Sequence, residues 1–360
     1  MHPAVSPPPL RRQKLSRRER VARLCRWTGL IRLAERAHQT PSLLVLAYHR
    51  IGHPELCPYD TDLFSATPED FEEQVAYLKS RFHVVSLTEV RQLVGHPAKW
   101  RHSMALITFD DGYIDNYTVA FPILSRHGLE GSFFLPTGFV GTRRLPWWDG
   151  IAYLVRQSVK SRISIRHPLS IDLDLSRGAR EAAVRRAIAL CKLPSTTSTS
   201  RFLDLLAEAC GVEVPVEAPE RLFLDWSEAA DMLRHGMAVG SHTQSHELLR
   251  RLSGEAEYDE LSGSRDILRR RLGGEVTAIA YPVGSLTSFS SRTCTNAERA
   301  GYDLGFSFYG GINLPAEVKR FDLQRVNIGR ELSLPLFRLR TTVPAIAGRR
   351  LFPSPAGVAT

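Results

Sequence analysis

Cysteine is scarce in this 360-residue chain, and its pattern offers no pairing. Cys25, Cys57, Cys191, Cys210 and Cys294 are scattered, odd in number and lack a Cys-x-x-Cys pair. That excludes a disulfide frame and a thiolate zinc site, and it suits reduced thiols in a cytoplasmic setting. Long apolar runs are also missing. None approaches the roughly 18–20 residues that a membrane span needs. The longest, SLLVLAY (42–48) and MALITF (104–109), have the length of buried strands. A third lack is positive charge in the body of the protein. The net charge is +9, but residues 1–36 hold ten Lys or Arg against Glu19 and Glu35, which is +8 and leaves about +1 elsewhere. A nearly neutral body excludes a broad nucleic-acid surface. A secretory signal is not expected either: PAVSPPPL is proline-rich, and no apolar h-region follows the basic stretch.

The basic surplus belongs to an arm over residues 1–40. Residues 1–15 read as disordered. From Ser16 to Ala37, Val21, Leu24, Cys25, Thr28 and Ile31 recur at helical spacing, opposite an Arg-rich side. Residues 11–36 suit peripheral contact with an anionic membrane surface at the inner membrane face. A helix packed on its own domain, or a solvated tail, fits as well.

Beyond the arm, short apolar strands and helical patterns alternate, the mark of a parallel α/β architecture. Strands are expected at LLVLAYH (43–49), HVVSL (83–87), MALITF, GSFFLP (131–136), MAVGSH (237–242), TAIAYP (277–282), DLGFSF (303–308) and LQRVNI (323–328). Thr67-Pro68-Glu69-Asp70 opens a helix with an N-cap hydroxyl, proline in the first turn and acids at the positive dipole end. Further helices are expected over 88–94, 117–127, 226–234, 256–272 and 291–300. The rhythm breaks from about 141 to 222, which reads as a helical insertion with helices at 180–193 and 200–210 and a β-like patch at 162–167. The main domain is thus expected over 41–345, with a loose tail over 346–360.

Chemistry-bearing residues cluster at strand ends. Asp110 and Asp111 close MALITF, and Gly112 follows. Adjacent side chains on a strand point to opposite faces, so both acids can serve one site only if the chain turns there. A solvated loop or an N-cap is the plain alternative. His242 and His246 in SHTQSH follow another apolar strand. Four-residue spacing would place both on one helical face, and two imidazoles plus a carboxylate make an open three-ligand metal site. With twelve His in the chain, a chance pair is the alternative. In AYPVGS, Pro282 and Gly284 shape a loop whose backbone N–H groups could hold an oxyanion. His49 ends the first strand. Trp147 and Trp148 precede Asp149, and the pair could be a sugar-stacking wall or a buried core pair.

TFDDGY, SHTQSH and AYPVG, in that order on strand ends, resemble the polysaccharide deacetylases with a NodB-homology domain. The resemblance covers roughly residues 43–330. It implies a distorted (β/α) barrel and a hydrolase that removes N-acetyl groups from amino sugars of a polysaccharide, oligosaccharide or lipid-linked glycan. It makes Asp110 the general base, and Asp111, His242 and His246 the ligands of a divalent metal, Zn2+ first among them. The Tyr281 N–H would hold the oxyanion, and Tyr281, Pro282 and Gly284 would line the substrate with Trp147 and Trp148. Two departures stand out. Many members carry a late Leu-x-His acid, whereas the late strand here reads QRVNIG. A subgroup similar to the poly-N-acetylglucosamine deacetylases carries an early Tyr-His motif instead, and YHRI fits it, making His49 the candidate acid. The Arg that often precedes the Pro loop is replaced by Ala278-Ile279-Ala280, which leaves open what orients the base. The rival reading is a non-catalytic carbohydrate-binding or glycan-assembly protein on the same barrel.

Overall fold

Strand alternation builds this molecule around one parallel sheet. The computed structural model describes residues 40–342, apart from 167–169 and 197. The basic arm with its expected membrane contact over 11–36, and the tail over 346–360, lie outside the described residues. The strands of the main sheet and of the insertion are β1 (Ser42–Tyr48), β2 (His83–Val84), β3 (Ser103–Phe109), β4 (Ser132–Leu135), β5 (Arg162–Ile165), β6 (Ile171–Asp174), β7 (Ala238–Ser241), β8 (Ala278–Ala280), β9 (Leu304–Phe306) and β10 (Arg325–Asn327). A parallel ladder runs β9-β8-β7-β4-β3-β1-β10, and β2 pairs with the start of β3. Phe306 bridges in parallel to Leu323, just before β10, and nearly closes the barrel. The expected distorted (β/α) barrel is the observed one.

The helices are α1 (Pro68–Arg81), α2 (Leu87–Gly95), α3 (Phe121–His127), α4 (Trp147–Gln157), α5 (Arg180–Cys191), α6 (Thr199–Cys210), α7 (Trp226–Arg234), α8 (Gly254–Leu272), α9 (Ser291–Arg299) and α10 (Leu334–Thr342). Local chemistry sets their starts. Thr67 caps α1 by accepting from the Asp70 N–H, as the sequence predicts. Capping boxes open α2 at Ser86 and α7 at Asp225. The segment before α3 is a π-helical turn over Asn116–Ala120, in place of the continuous α-helix expected from 117.

Alternation along β1 sorts the two faces. Leu44, Leu46 and Tyr48 pack outward against Phe71, Val75 and Leu78 of α1. Leu43 and Val45 share the barrel interior with Leu106, Phe134, Ala280 and Phe306. Each such buried aliphatic side chain contributes about 1.5–3 kcal/mol. The insertion has a core of its own, in which Trp147, Trp148 and Ile151 of α4 meet Ile163, Leu173, Val184 and Phe202. α4 and β6 were not expected there, nor was α10 expected before the tail. Antiparallel pairing of β5 with β6 makes the β-like patch one arm of a hairpin. Among the described residues, no helix is long and apolar enough to cross a membrane.

Candidate active site

Strand parity places the first site residues. Met104 and Leu106 point into the barrel, and so, two residues on at each step, do Thr108 and Asp110. The same count from Leu43 and Val45 brings His49 to the inner face at the adjoining strand end. Asp110 lies beside it because Phe109 is in register with Tyr48. Both sit at the carboxyl end of a parallel barrel, where loops gather functional groups.

Asp111 reaches the same space by a backbone turn. Its φ is +73° and that of Gly112 is +66°, so two consecutive left-handed residues reverse the chain. Gly112 alone does not make the turn. A Cβ at residue 112 would lie 2.8 Å from the Leu135 side chain, which reserves this position for glycine. Among the described residues, the non-glycine positions with left-handed φ are Asp111, Thr243, His246 and Val283. All four lie in the loops that end β3, β7 and β8. Such conformations cost on the order of 1–3 kcal/mol each and concentrate where function fixes the chain.

His242 and His246 meet across a tight turn, not on one helical face as the spacing suggested. The Thr243 N–H donates to Ser241 Oγ at 3.1 Å, and the His246 N–H donates to Thr243 Oγ1 at 3.2 Å. Glu260 of α8 holds the crest by accepting from the Gln244 and Ser245 N–H groups at 2.8 and 3.0 Å. His242 Nδ1 lies 2.7 Å from the Ala280 carbonyl, so Nδ1 carries the proton and Nε2 turns its lone pair to the site. Asp111 Oδ1 is 3.5 Å from His242 Nε2 and 3.3 Å from His246 Nε2. One ligand atom from each of the three lies within 4.8 Å of the others, and all three residues are buried. Asp111 Oδ1 and His246 Nδ1 have no hydrogen-bond partner. A buried carboxylate oxygen with no donor, facing two imidazole nitrogens, fits a divalent cation. This donor set of one oxygen and two nitrogens suits zinc and similar borderline ions.

Asp110 is held differently. Arg325, fully buried in β10, donates from both terminal nitrogens to the two Asp110 oxygens at 2.7 Å each. Arg325 Nε donates to the Ser307 carbonyl at 2.9 Å, which locks the fork. Burial alone would raise both carboxyls. Asp110 nevertheless sits below the usual carboxylate range because of Arg325, and Asp111 sits well below it because of His242 and His246. The question left by the missing Arg before the Pro loop is thereby answered. An Arg from the last strand orients the proposed base. Sequence reasoning passed over it, although a charged residue inside the apolar strand LQRVNI was its signal.

The other predicted residues divide. His49 is half-buried, edge-on to Phe308 at 5.4 Å, and it faces Asp111, Asp110, Arg325 and His242. Its backbone is fixed by Ser65, whose Oγ accepts from the N–H, and by Asn116, which donates to the carbonyl at 2.7 Å. Burial lowers its imidazole, with the two acids pulling the other way. Tyr281 does not fill its expected role. Its N–H donates to the Phe306 carbonyl at 3.0 Å, completing the sheet ladder one residue past β8. Its ring is buried on Phe289, and its hydroxyl donates to the Phe321 carbonyl. The Val283 N–H, next in the loop, has no acceptor among the described residues, and neither do those of Ser285, Leu286 and Thr287. Gly284 N–H closes a turn on the Pro282 carbonyl, and the Phe308 N–H donates to the Gly284 carbonyl at 2.7 Å. Pro282 and Gly284 thus shape the loop as expected. Trp147 and Trp148 do not form an open stacking wall, because they are only 6% and 3% exposed. Trp148 instead packs edge-on against His246 at 4.4 Å.

Comparison with known proteins bears on this geometry. A family profile described as polysaccharide deacetylase matches residues 99–305, a span that includes Asp110, Asp111, His242, His246 and the Pro282 loop. YxkH of Bacillus subtilis (strain 168), whose name assigns it to the polysaccharide deacetylases, is 20% identical over 264 residues. The match covers 73% of this chain and 63% of that protein, so the chain spans under two thirds of the relative's length. Among solved structures, Streptococcus pyogenes deacetylase PplD in complex with acetate has a TM-score of 0.55 at 22% identity, covering 85% of this chain and 100% of that one. IcaB from Ammonifex degensii has a TM-score of 0.56 at 18% identity, covering 85% and 99%. BC0361, a polysaccharide deacetylase from Bacillus cereus, has a TM-score of 0.53 at 18% identity, covering 85% and 70%. At these identities the structures share the barrel fold, while the profile match takes in over half of the chain and both acid and histidine segments. On that ground the chain belongs to the polysaccharide deacetylase family.

Proposed function

We propose that this chain is a metal-dependent hydrolase that removes the N-acetyl group from an amino sugar of a glycan. One observation carries the reading: a partnerless buried Asp111 oxygen faces His242 and His246, beside an Asp110 clamped in the ionised form by Arg325. Asp111, His242 and His246 would hold the metal, with Zn2+ the first choice. The bound ion would supply Lewis acidity toward the acetamido carbonyl and an attacking water.

The remaining steps belong to the chain. Asp110 accepts the proton of the water that attacks the amide carbon. Arg325 keeps that carboxylate ionised and fixes its direction, so a base held below its ordinary value still points at the reacting atom. The Val283 N–H takes the oxyanion role first expected of Tyr281, because Tyr281 is committed to Phe306. His49, on the inner face beside Asp110, delivers a proton to the leaving amine. Acetate and a free amino sugar result. Two acids in sequence thus separate in function: Asp111 completes the ligand set, and Asp110 stays free of it.

The test joins metal content of the purified chain to acetate release across N-acetylated glycans, from N-acetylglucosamine oligomers to lipid-linked forms. Wild-type protein should carry about one metal per chain and release acetate from at least one glycan. Asp110→Asn and His49→Ala should each lower turnover by roughly 100- to 10,000-fold. Full activity in Asp110→Asn would falsify the base assignment. A metal-free chain that binds glycans without cleaving them would favour the non-catalytic rival.

A further inference from the structure

We infer that the first helix of the insertion is the positioning device of the metal site, tying both ligand-bearing loops together through Tyr113, Trp148 and Asp149. This inference rests on the reading of Asp111, His242 and His246 as ligands. It gives the insertion a role at the metal site itself.

The connections run from residue to residue. Tyr113 follows Asp111-Gly112 in the loop after β3, and it is fully buried. Its hydroxyl donates to Asp149 Oδ2 at 2.6 Å and accepts from Trp148 Nε1 at 2.7 Å. Trp148 and Asp149 are adjacent in α4. The Trp148 ring stands edge-on to His246 at 4.4 Å, and Trp147 Nε1 donates to the His246 carbonyl at 3.4 Å. One helical turn therefore grips the Asp111 loop through a hydroxyl and the His246 loop through two indoles. The other Asp149 oxygen accepts from the Asp60 N–H at 2.9 Å, which fixes the carboxyl in place.

The neck of the insertion anchors the same grip. The Ile114 N–H donates to the Leu222 carbonyl at 2.8 Å, and Tyr113 bridges Phe223. Asp149 is fully buried and has no cation within ion-pair distance among the described residues. Burying such a carboxyl is costly, and the two donors it meets account for its position. Outer partners of this kind orient metal ligands and set affinity. His246 has no hydrogen-bond partner at Nδ1, so the aromatic packing of Trp148 and its own backbone bonds hold its ring.

The test uses the full chain stripped of metal and reloaded with Co2+ or Zn2+. The Zn2+ dissociation constant is measured against a chromogenic chelator, the Co2+ absorption bands report ligand geometry, and urea unfolding of the metal-free proteins reports the fold. Tyr113→Phe removes one oxygen and severs both links, and Asp149→Asn sets an amide N–H against one of two donors. Each should weaken Zn2+ binding by about 10- to 100-fold and shift the Co2+ bands. Asp172→Asn, in the exposed β5–β6 hairpin, should change neither. Should Asp149→Asn fail to fold, Tyr113→Phe decides. A folded Tyr113→Phe protein with wild-type affinity and bands overturns the inference, as does equal weakening by Asp172→Asn. If the wild-type chain takes up no metal, the reading of the site itself fails as well, an outcome distinct from any variant result.

Discussion

Arg325→Met removes the one guanidinium that holds Asp110 while keeping most of the apolar volume. The pair it breaks is bidentate, at 2.7 Å on each arm, and Arg325 is fully buried. Removing one partner of a buried pair costs about 3–5 kcal/mol, because the remaining charge is left without compensation. In a domain of this size each kcal/mol lowers Tm by roughly 2–4 °C, so a fall on the order of 10 °C is expected. The sign of the pH effect follows from Asp110, whose folded value lies below its ordinary one. Its stabilising contribution is present above the ordinary carboxylate value and is lost as pH falls through the folded value. In Arg325→Met, burial loses its main opponent, leaving only His242 and His49 against it, and Asp110 takes up a proton at higher pH. The acid limb of the pH–rate profile should therefore move upward, with turnover at neutral pH down by roughly 100-fold or more. Calorimetry and a pH series of acetate release measure both effects. The double variant Asp110→Asn/Arg325→Met should recover part of the lost stability, since the unpaired Asp110 carboxylate is gone, and it should stay inactive. A folded Arg325→Met protein with wild-type Tm and pH profile would refute the argument.

Other outcomes follow from single features. Burial pushes Asp149 up to about 7, so its favourable contribution is full below the ordinary carboxylate value and is lost as pH rises through about 7. The difference in urea midpoint between wild type and Asp149→Asn should therefore change steadily between about pH 4 and 7 and level off above; a constant difference would contradict it. Gly284→Ala places a Cβ 2.6 Å from the Phe308 backbone nitrogen at φ +56°. Strain of about 1–3 kcal/mol and a disturbed Pro282 loop should lower both Tm and turnover. Gly95→Ala, with nothing within 4 Å, serves as the control and should leave turnover unchanged and Tm no lower. Loss of metal should itself be visible in stability: a ligand at 100 times its Kd contributes about 2.7 kcal/mol, so chelation should lower Tm and zinc should restore it.

The residues differ in how far the sequence reveals them. Asp110 and His242 were legible because an apolar strand, a period of two and a strand end suffice to point them inward. Asp111 needed a turn, and the sequence shows only its glycine; that the Asp itself adopts φ +73° is seen only in the folded chain. Arg325 stood in plain view, but its partner lies 215 residues away, and only barrel closure brings the two together. The Tyr281 amide was misassigned because the resemblance put it in the loop, whereas the ladder with Phe306 carries on one residue past β8. Trp147 and Trp148 left two readings open, and the apolar faces of α5 and α6, themselves legible as helices, decided for burial by covering them. α4 was missed although eight of its eleven residues are buried, because Trp147, Trp148 and Asp149 were read as a motif of their own and not as the start of a helix.

The most direct measurement is acetate release from N-acetylglucosamine oligomers before chelation, after chelation and after restoring Zn2+, with Asp110→Asn as the parallel control. The geometry at Asp111, His242 and His246 predicts that chelation abolishes release, that Zn2+ restores it, and that Asp110→Asn binds metal yet stays inactive. Undiminished release from the metal-stripped protein would contradict the metal-dependent mechanism.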